Sequence, residues 1–143
     1  MIKSELMTLW NVESWAVEPH GVYFVSRRLS TNHLENVGQA FQNLNISCSG
    51  YTEDKILSLT FWPQLYAKLD ELDRVAQKII QKEMPLDESV VLKLTDIMLD
   101  TSGCYGAFAL GYDVGESTAG QLYVLVSFDE NFTAQQDVIY ETF

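Results

Sequence analysis

Apolar and polar positions divide this chain into short blocks, and three prolines (Pro19, Pro63 and Pro85) fall where one block gives way to the next. Trp15-Ala16-Val17, Glu18-Pro19-His20-Gly21 and Val22-Tyr23-Phe24-Val25 read as strand, turn and strand. Before Trp15 the pattern is open: Leu6, Leu9 and Trp10 fit a helical face, while Trp10 and Val12 also fit alternation. Asn32 with Glu35 resembles a capping box, and Leu34, Val37, Phe41 and Leu44 recur at helical spacing. This predicts a helix from about His33 to Asn43, ended by Asn43-Leu44-Asn45. Ile56 to Phe61 predicts a strand.

Pro63 suits the first turn of a helix, where a missing N–H costs little. Leu65, Leu69, Leu72, Ala76, Ile79 and Ile80 then share one face, with Asp70 and Arg74 spaced to pair on the other side. Met84-Pro85 ends this helix. Asp87 is placed to cap a further helix carrying Val90, Val91, Leu94, Ile97 and Met98; the competing reading takes Val90 to Leu94 as a strand.

The last third differs in kind. Cys104 to Tyr112 and Gln121 to Phe128 are rich in aromatic and β-branched residues, and a long glycine-bearing connection, Asp113 to Gly120, joins them as a hairpin. Leu122-Tyr123-Val124-Leu125-Val126 is apolar on both faces, which predicts an internal strand covered on each side, at least partly by helices. Val138 to Thr142 supplies a final strand. The succession predicts a single α+β domain over residues 1–143, a mainly antiparallel sheet with about three helices packed on it.

Composition narrows the class. A chain of 143 residues with 47% hydrophobic content can build a core without disulfides or a structural metal. Two cysteines, Cys48 and Cys104, lie far apart without metal-ligand spacing, which fits a reducing compartment. The opening MIKSELMTLWNVESW has acids at Glu5 and Glu13 and no apolar run behind a basic head, so it does not read as a signal peptide. No later stretch has the roughly 18 apolar residues of a membrane span, so the expectation is a cytoplasmic protein that does not engage membranes.

Charge is the most informative feature. Lys93 is the last base in the chain. Residues 94–143 hold eight acids (Asp96, Asp100, Asp113, Glu116, Asp129, Glu130, Asp137 and Glu141) and no Lys or Arg. Residues 1–93 hold twelve acids and nine bases, a net of −3, which with the −8 of the remainder makes the overall −11. Unbalanced like charge raises self-repulsion in the folded state, yet it speeds encounter with a positively charged partner. The same sign argues against direct nucleic-acid binding, which draws on clustered Lys and Arg. Asp113 and Glu116 in one connection and Asp129 and Glu130 in the next are expected to lead a partner-binding site. Asp137 and Glu141 support them, with Tyr112, Tyr140 and Phe143 as partly exposed aromatic anchors.

No catalytic set accompanies these residues. Gly115-Glu116-Ser117-Thr118-Ala119 is one residue short of a nucleophile elbow and precedes a strand, where an elbow precedes a helix. A thiol–imidazole pair from Cys48 or Cys104 with His20 or His33 has no supporting pattern. Asp96 and Asp100, four apart, read as solvated acids before they read as cation ligands, and no cofactor is expected. Arg27-Arg28, the one basic doublet, is expected to pair with nearby acids.

In size, charge and architecture, with the base-free aromatic stretch from Tyr112 to Phe143, the chain resembles the immunity proteins that bacteria encode beside polymorphic or contact-dependent toxins. The resemblance is one of type and rests on no diagnostic motif. It implies a cytoplasmic, non-enzymatic inhibitor whose acidic surface covers a cognate, basic, nuclease-type toxin domain. A small enzyme using a carboxylate site and a homo-oligomeric adaptor domain are the alternatives.

Overall fold

A computed structural model describes residues 1–29, 41–84, 92–117 and 120–142. A short helix, α1 (Lys3–Leu9), precedes three strands: β1 (Val12–Glu18), β2 (Gly21–Leu29) and β3 (Phe41–Ser49). Two helices follow, α2 (Glu53–Ser58) and α3 (Trp62–Glu83). Four strands complete the chain: β4 (Leu94–Asp100), β5 (Phe108–Ser117), β6 (Gly120–Phe128) and β7 (Ala134–Thr142).

The strands form one seven-stranded sheet in sequence order, β1 to β7. Neighbours run antiparallel except β3 and β4, which are parallel. The exception follows from connectivity: β3 and β4 are joined through α2 and α3, and parallel neighbours need such a crossover. The result is an α+β architecture with a mainly antiparallel sheet and three helices among the described residues.

All three helices bury their apolar residues against one face of the sheet. Leu6 of α1, Ile56 of α2 and Trp62, Leu65, Leu69, Leu72, Ala76, Ile79 and Ile80 of α3 join a core with alternate residues of β2 to β6. Trp62 sits at its centre, edge-on to Trp10 at 5.7 Å and to Phe24 at 5.8 Å, and its indole N–H donates to the Ile56 carbonyl at 2.9 Å. Phe108 and Phe128 stack at 5.1 Å near the far end of β5 and β6.

Two polar pairs sit within or beside this core. The buried Asp73 of α3 accepts the Tyr112 hydroxyl proton and, at 3.1 Å, a Gln77 amide proton. Arg28 of β2 donates to Asp70 of α3 at 2.9 Å. Tyr112 is expected to carry real stability: Tyr112→Phe deprives a buried carboxylate of a donor, at a cost of about 1–3 kcal/mol. The check is the urea midpoint, and an unchanged midpoint would mean that the hydroxyl contributes nothing.

The fold corrects four expectations. Residues 41–43 open strand β3, where a helix is predicted to end, and the rest of that predicted helix lies outside the described residues. The inward set is Leu44, Ile46 and Cys48, alternating with Asn45, Ser47 and Ser49. Ile56 to Phe61 is not a strand: Glu53–Ser58 is helical, with Thr52 Oγ1 accepting the Lys55 N–H at 3.3 Å as its cap. Leu94, Ile97 and Met98 lie on strand β4 and not on a helix, while residues 87–91 of that expectation lie outside the description. The Asp113–Gly120 connection is short, because β5 runs to Ser117 and β6 begins at Gly120, with a bulge between Asp113 and Gly115.

Two expectations on side chains are also settled. Arg27-Arg28 does pair with acids, Arg27 with Glu13 at 3.6 Å and Arg28 with Asp70. Asp70, expected opposite Arg74, is the residue that meets Arg28. The cysteines differ sharply: Cys48 is buried, which pushes its thiol up to about 12, while Cys104 is exposed. Native protein is therefore expected to take one equivalent of maleimide quickly near pH 7, at Cys104, and a second only in denaturant, since the thiolate is the reactive form. Mass spectrometry of the labelled chain reads this directly; rapid native labelling of Cys48 would contradict the packing of β3.

Candidate functional site

The helices cover one face of the sheet, and the other face carries the carboxylates. Residues directly opposite each other in a ladder share a face. Asp96, Gly111, Leu125 and Ile139 are consecutive partners across β4 to β7. In the adjacent row, Asp113 pairs with Tyr123 and Tyr123 with Glu141. Ser47 pairs with Met98 beside them. Asp96, Asp113 and Glu141 therefore share, from three strands, the sheet face opposite α1, α2 and α3.

Asp96 and Glu141 line a groove of about 240 Å³ with Ser47, Met98, Gly111, Tyr123 and Leu125, and Asp113 stands next to Tyr123 outside that lining. Gly111 opens its floor: a Cβ there would sit 3.2 Å from the Asp96 Cβ and 3.7 Å from Leu125 Cδ2. Leu125 is buried beneath it. The β4–β5 connection folds toward this face, where the Tyr105 hydroxyl donates to Glu141 Oε2 at 2.5 Å.

Electrostatics in the groove are set first by desolvation and only secondarily by neighbouring like charge. Partial burial raises the Asp96 pKa, a hydrogen bond from Thr95 at 2.7 Å opposes the rise, and the neighbouring Asp113 charge adds to it. Tyr123 is raised by desolvation and by both of these aspartates. Tyr105 is raised by burial and by its bond to Glu141. A carboxyl whose pKa is higher folded than unfolded destabilises the protein above the folded value and has no effect below the unfolded one, roughly 3.9. Asp96→Asn is therefore expected to raise stability at pH 7, with the difference vanishing on acidification to about pH 4. Denaturant midpoints at the two pH values check this, and a variant less stable at pH 7 would contradict the sign.

The residues expected to bind a partner are distributed over two ends of the sheet. Asp113 is exposed and accepts the Gly115 N–H at 2.9 Å and a Gln121 amide proton, and Glu141 lines the groove. Asp129 and Glu130 lie in the β6–β7 turn, at the opposite end of β6 from the hairpin that holds Asp113. Asp129 Oδ1 accepts the N–H groups of Asn131 and Thr133, both at 2.9 Å, so this carboxylate shapes its own turn. Asp137 is exposed in an irregular stretch of β7, and Glu116 is placed by its backbone pairing with Gln121.

The aromatic expectations divide. Tyr140 is 48% exposed, as a surface anchor should be, but Tyr112 is fully buried and serves the core through Asp73. Tyr112 is thereby removed from the exposed set, because its ring points to the helix-covered face alongside Phe108 and Leu110. Phe143 lies outside the described residues.

Asp96 and Tyr123 were missed as site residues. The signal was present: Asp96, Met98 and Asp100 alternate with buried Ile97 and Leu99. Among the described residues no three His, Cys, Asp or Glu side chains converge as metal ligands, and no helix is long and apolar enough to cross a membrane. The ion pairs seen among the described residues join acids of the first 93 positions, namely Glu53, Glu13 and Asp70, to bases. None involves Asp96, Asp100, Asp113, Asp129, Glu130, Asp137 or Glu141. No protein-family model, curated protein or solved structure matches this chain.

Proposed function

We propose that this chain is a non-enzymatic binding protein, an inhibitor of the immunity type whose acidic sheet face docks a protein partner with a basic surface. A cognate toxin domain of nuclease type, encountered in the cytoplasm, is the partner this reading expects. One observation carries it: among the described residues, Asp96, Asp113 and Glu141 share the sheet face opposite α1, α2 and α3, and none is neutralised by a Lys or Arg. Clustered like charge of this kind costs folding stability and is offset when a complementary surface arrives. The size of the groove supports the same reading. At about 240 Å³ it falls below the roughly 300 Å³ at which drug-sized ligand sites begin, and suits one long side chain of a partner.

The test is capture by the immobilised protein from a lysate of the source organism at low and at high salt. A basic protein retained at low salt, released by high salt and lost with Asp113→Lys/Glu141→Lys supports the proposal. Capture indifferent to both salt and charge reversal overturns it.

A second reading, a carboxylate-dependent enzyme, is favoured by the raised pKa of Asp96 inside a concave site. It expects turnover of a small molecule that Asp96→Asn abolishes, whereas the binding reading expects a stoichiometric complex.

A further inference from the structure

Strand β7 is the last of the sheet: it pairs with β6 on one side, and among the described residues no strand pairs with its other side. An edge strand presents a row of backbone donors and acceptors, and proteins ordinarily blunt it with Pro, Lys, bulges or a cover. β7 contains neither Pro nor Lys. Its irregularity is confined to the stretch before Val138, since Val138 to Tyr140 and Glu141 to Thr142 pair one-to-one with Val126 to Leu122. Along these five regular residues no described strand pairs with the outer side.

Their side chains define what fits. Ile139 and Glu141 stand on the carboxylate face, in line with Leu125 and Tyr123 of the groove. Val138 and Tyr140 stand on the helix-covered face, where Val138 packs on the core and Tyr140 is 48% exposed. A strand added beside β7 would place alternate residues next to Glu141 and the others next to Tyr140. The first set is best cationic and the second best apolar.

A second copy of this chain does not meet that requirement, because β7 carries Asp137 and Glu141 with no base, and self-pairing sets like charges across the new ladder. The other edge, β1, is less suited to a basic segment. Its ladder with β2 is regular from Ser14 to Glu18, but of its two acids Glu13 is already paired with Arg27 on the neighbouring strand and Glu18 sits at the β1–β2 turn.

We infer that the β7 edge accepts an extended segment of alternating cationic and apolar residues from the partner, adding an eighth strand to the sheet. This rests on the proposed docking of a basic protein and specifies how it is anchored: backbone pairing along Val138–Thr142 holds the segment while its cations meet Glu141 and the groove.

The probe is a capped seven-residue peptide alternating Lys and Val, added to the full chain at low ionic strength and followed by residue-resolved amide exchange. Amides of Val138–Thr142 that point away from β6 are expected to slow at least tenfold at saturation. The same peptide N-methylated along its whole backbone keeps its charges but loses its donors, and is expected to bind at least tenfold more weakly. Equal binding by the methylated peptide, protection elsewhere than β7, or no binding of the parent peptide overturns strand addition. Salt-sensitive capture of a basic protein with β7 left unprotected would overturn it too, and would leave the docking proposal standing.

Discussion

Trp62→Ala is expected to lower the unfolding free energy by about 3–5 kcal/mol, the range for removing a large buried aromatic. Domains as a class have only about 5–15 kcal/mol in total, so the variant should populate unfolded chain well below the melting temperature of the parent. The magnitude follows from where α3 begins. Trp62 is wholly buried, meets Trp10, Phe24 and Phe61, and ties α2 to α3 through its bond to Ile56. Three elements therefore lose contacts at once. Trp15 provides the contrast: it is half-buried between Phe24, Lys3 and Glu53, so Trp15→Ala should cost clearly less. Urea denaturation of both variants checks the ranking, and equal losses would contradict the central role given to Trp62.

The largest functional effect is expected from neutralising the groove. Asp96→Asn, Asp113→Asn and Glu141→Gln in one chain should slow association with the basic partner by more than tenfold at low salt, within the roughly 10- to 1,000-fold range of electrostatic steering. The effect should shrink as salt is raised, because exposed charges more than about 10 Å apart are screened at 0.1 M. The decisive control changes net charge equally but elsewhere. Glu18, Asp54 and Glu83 are exposed acids of the first 93 residues, and their neutralisation should leave the rate within about twofold. Stopped-flow association at two ionic strengths measures both. Equal slowing by the two triples would show that total charge matters and its placement does not.

How much of this was legible in the sequence depended on whether a segment kept one period throughout. Helix α3 was legible because its apolar stripe holds helical spacing from Leu65 to Ile80 and Pro63 marks its first turn. The β1–β2 hairpin was legible from its turn residues, and the presence of strands β5 to β7 from aromatic and β-branched enrichment, but the β5–β6 connection was read too long because Asp113 to Ser117 belong to β5. Strand β4 was not, for a physical reason: the irregularity between Leu94 and Asp96 inserts a residue into the inward series, so Leu94 and Ile97 stand three apart and mimic a helical face. In β3 the alternation of Leu44, Ile46 and Cys48 with polar residues was present, but Phe41 and Leu44 also fit a helix and the asparagines read as its end. Helix α2 has six residues and one buried side chain, too short for a period to register.

The site was legible in its charge and not in its geometry. The base-free third could be counted from the sequence, but which acids meet depends on strand register across β4 to β7. Register brings in Asp96, which sits in the strand taken for a helix, and separates Asp129 and Glu130, which lie at the far turn. Tyr112 illustrates the same dependence. Alternation alone leaves its face undecided, and the inward Asp73 on α3 explains how a hydroxyl can be buried there.

Zero-length carbodiimide cross-linking of the complex with the captured partner tests the central claim most directly, since it joins only carboxylates in contact with lysines. Cross-links from Asp113, Asp137 and Glu141 are the expected result. Cross-links confined to acids of the first 93 residues, such as Glu18, Asp54 and Glu83, would contradict it.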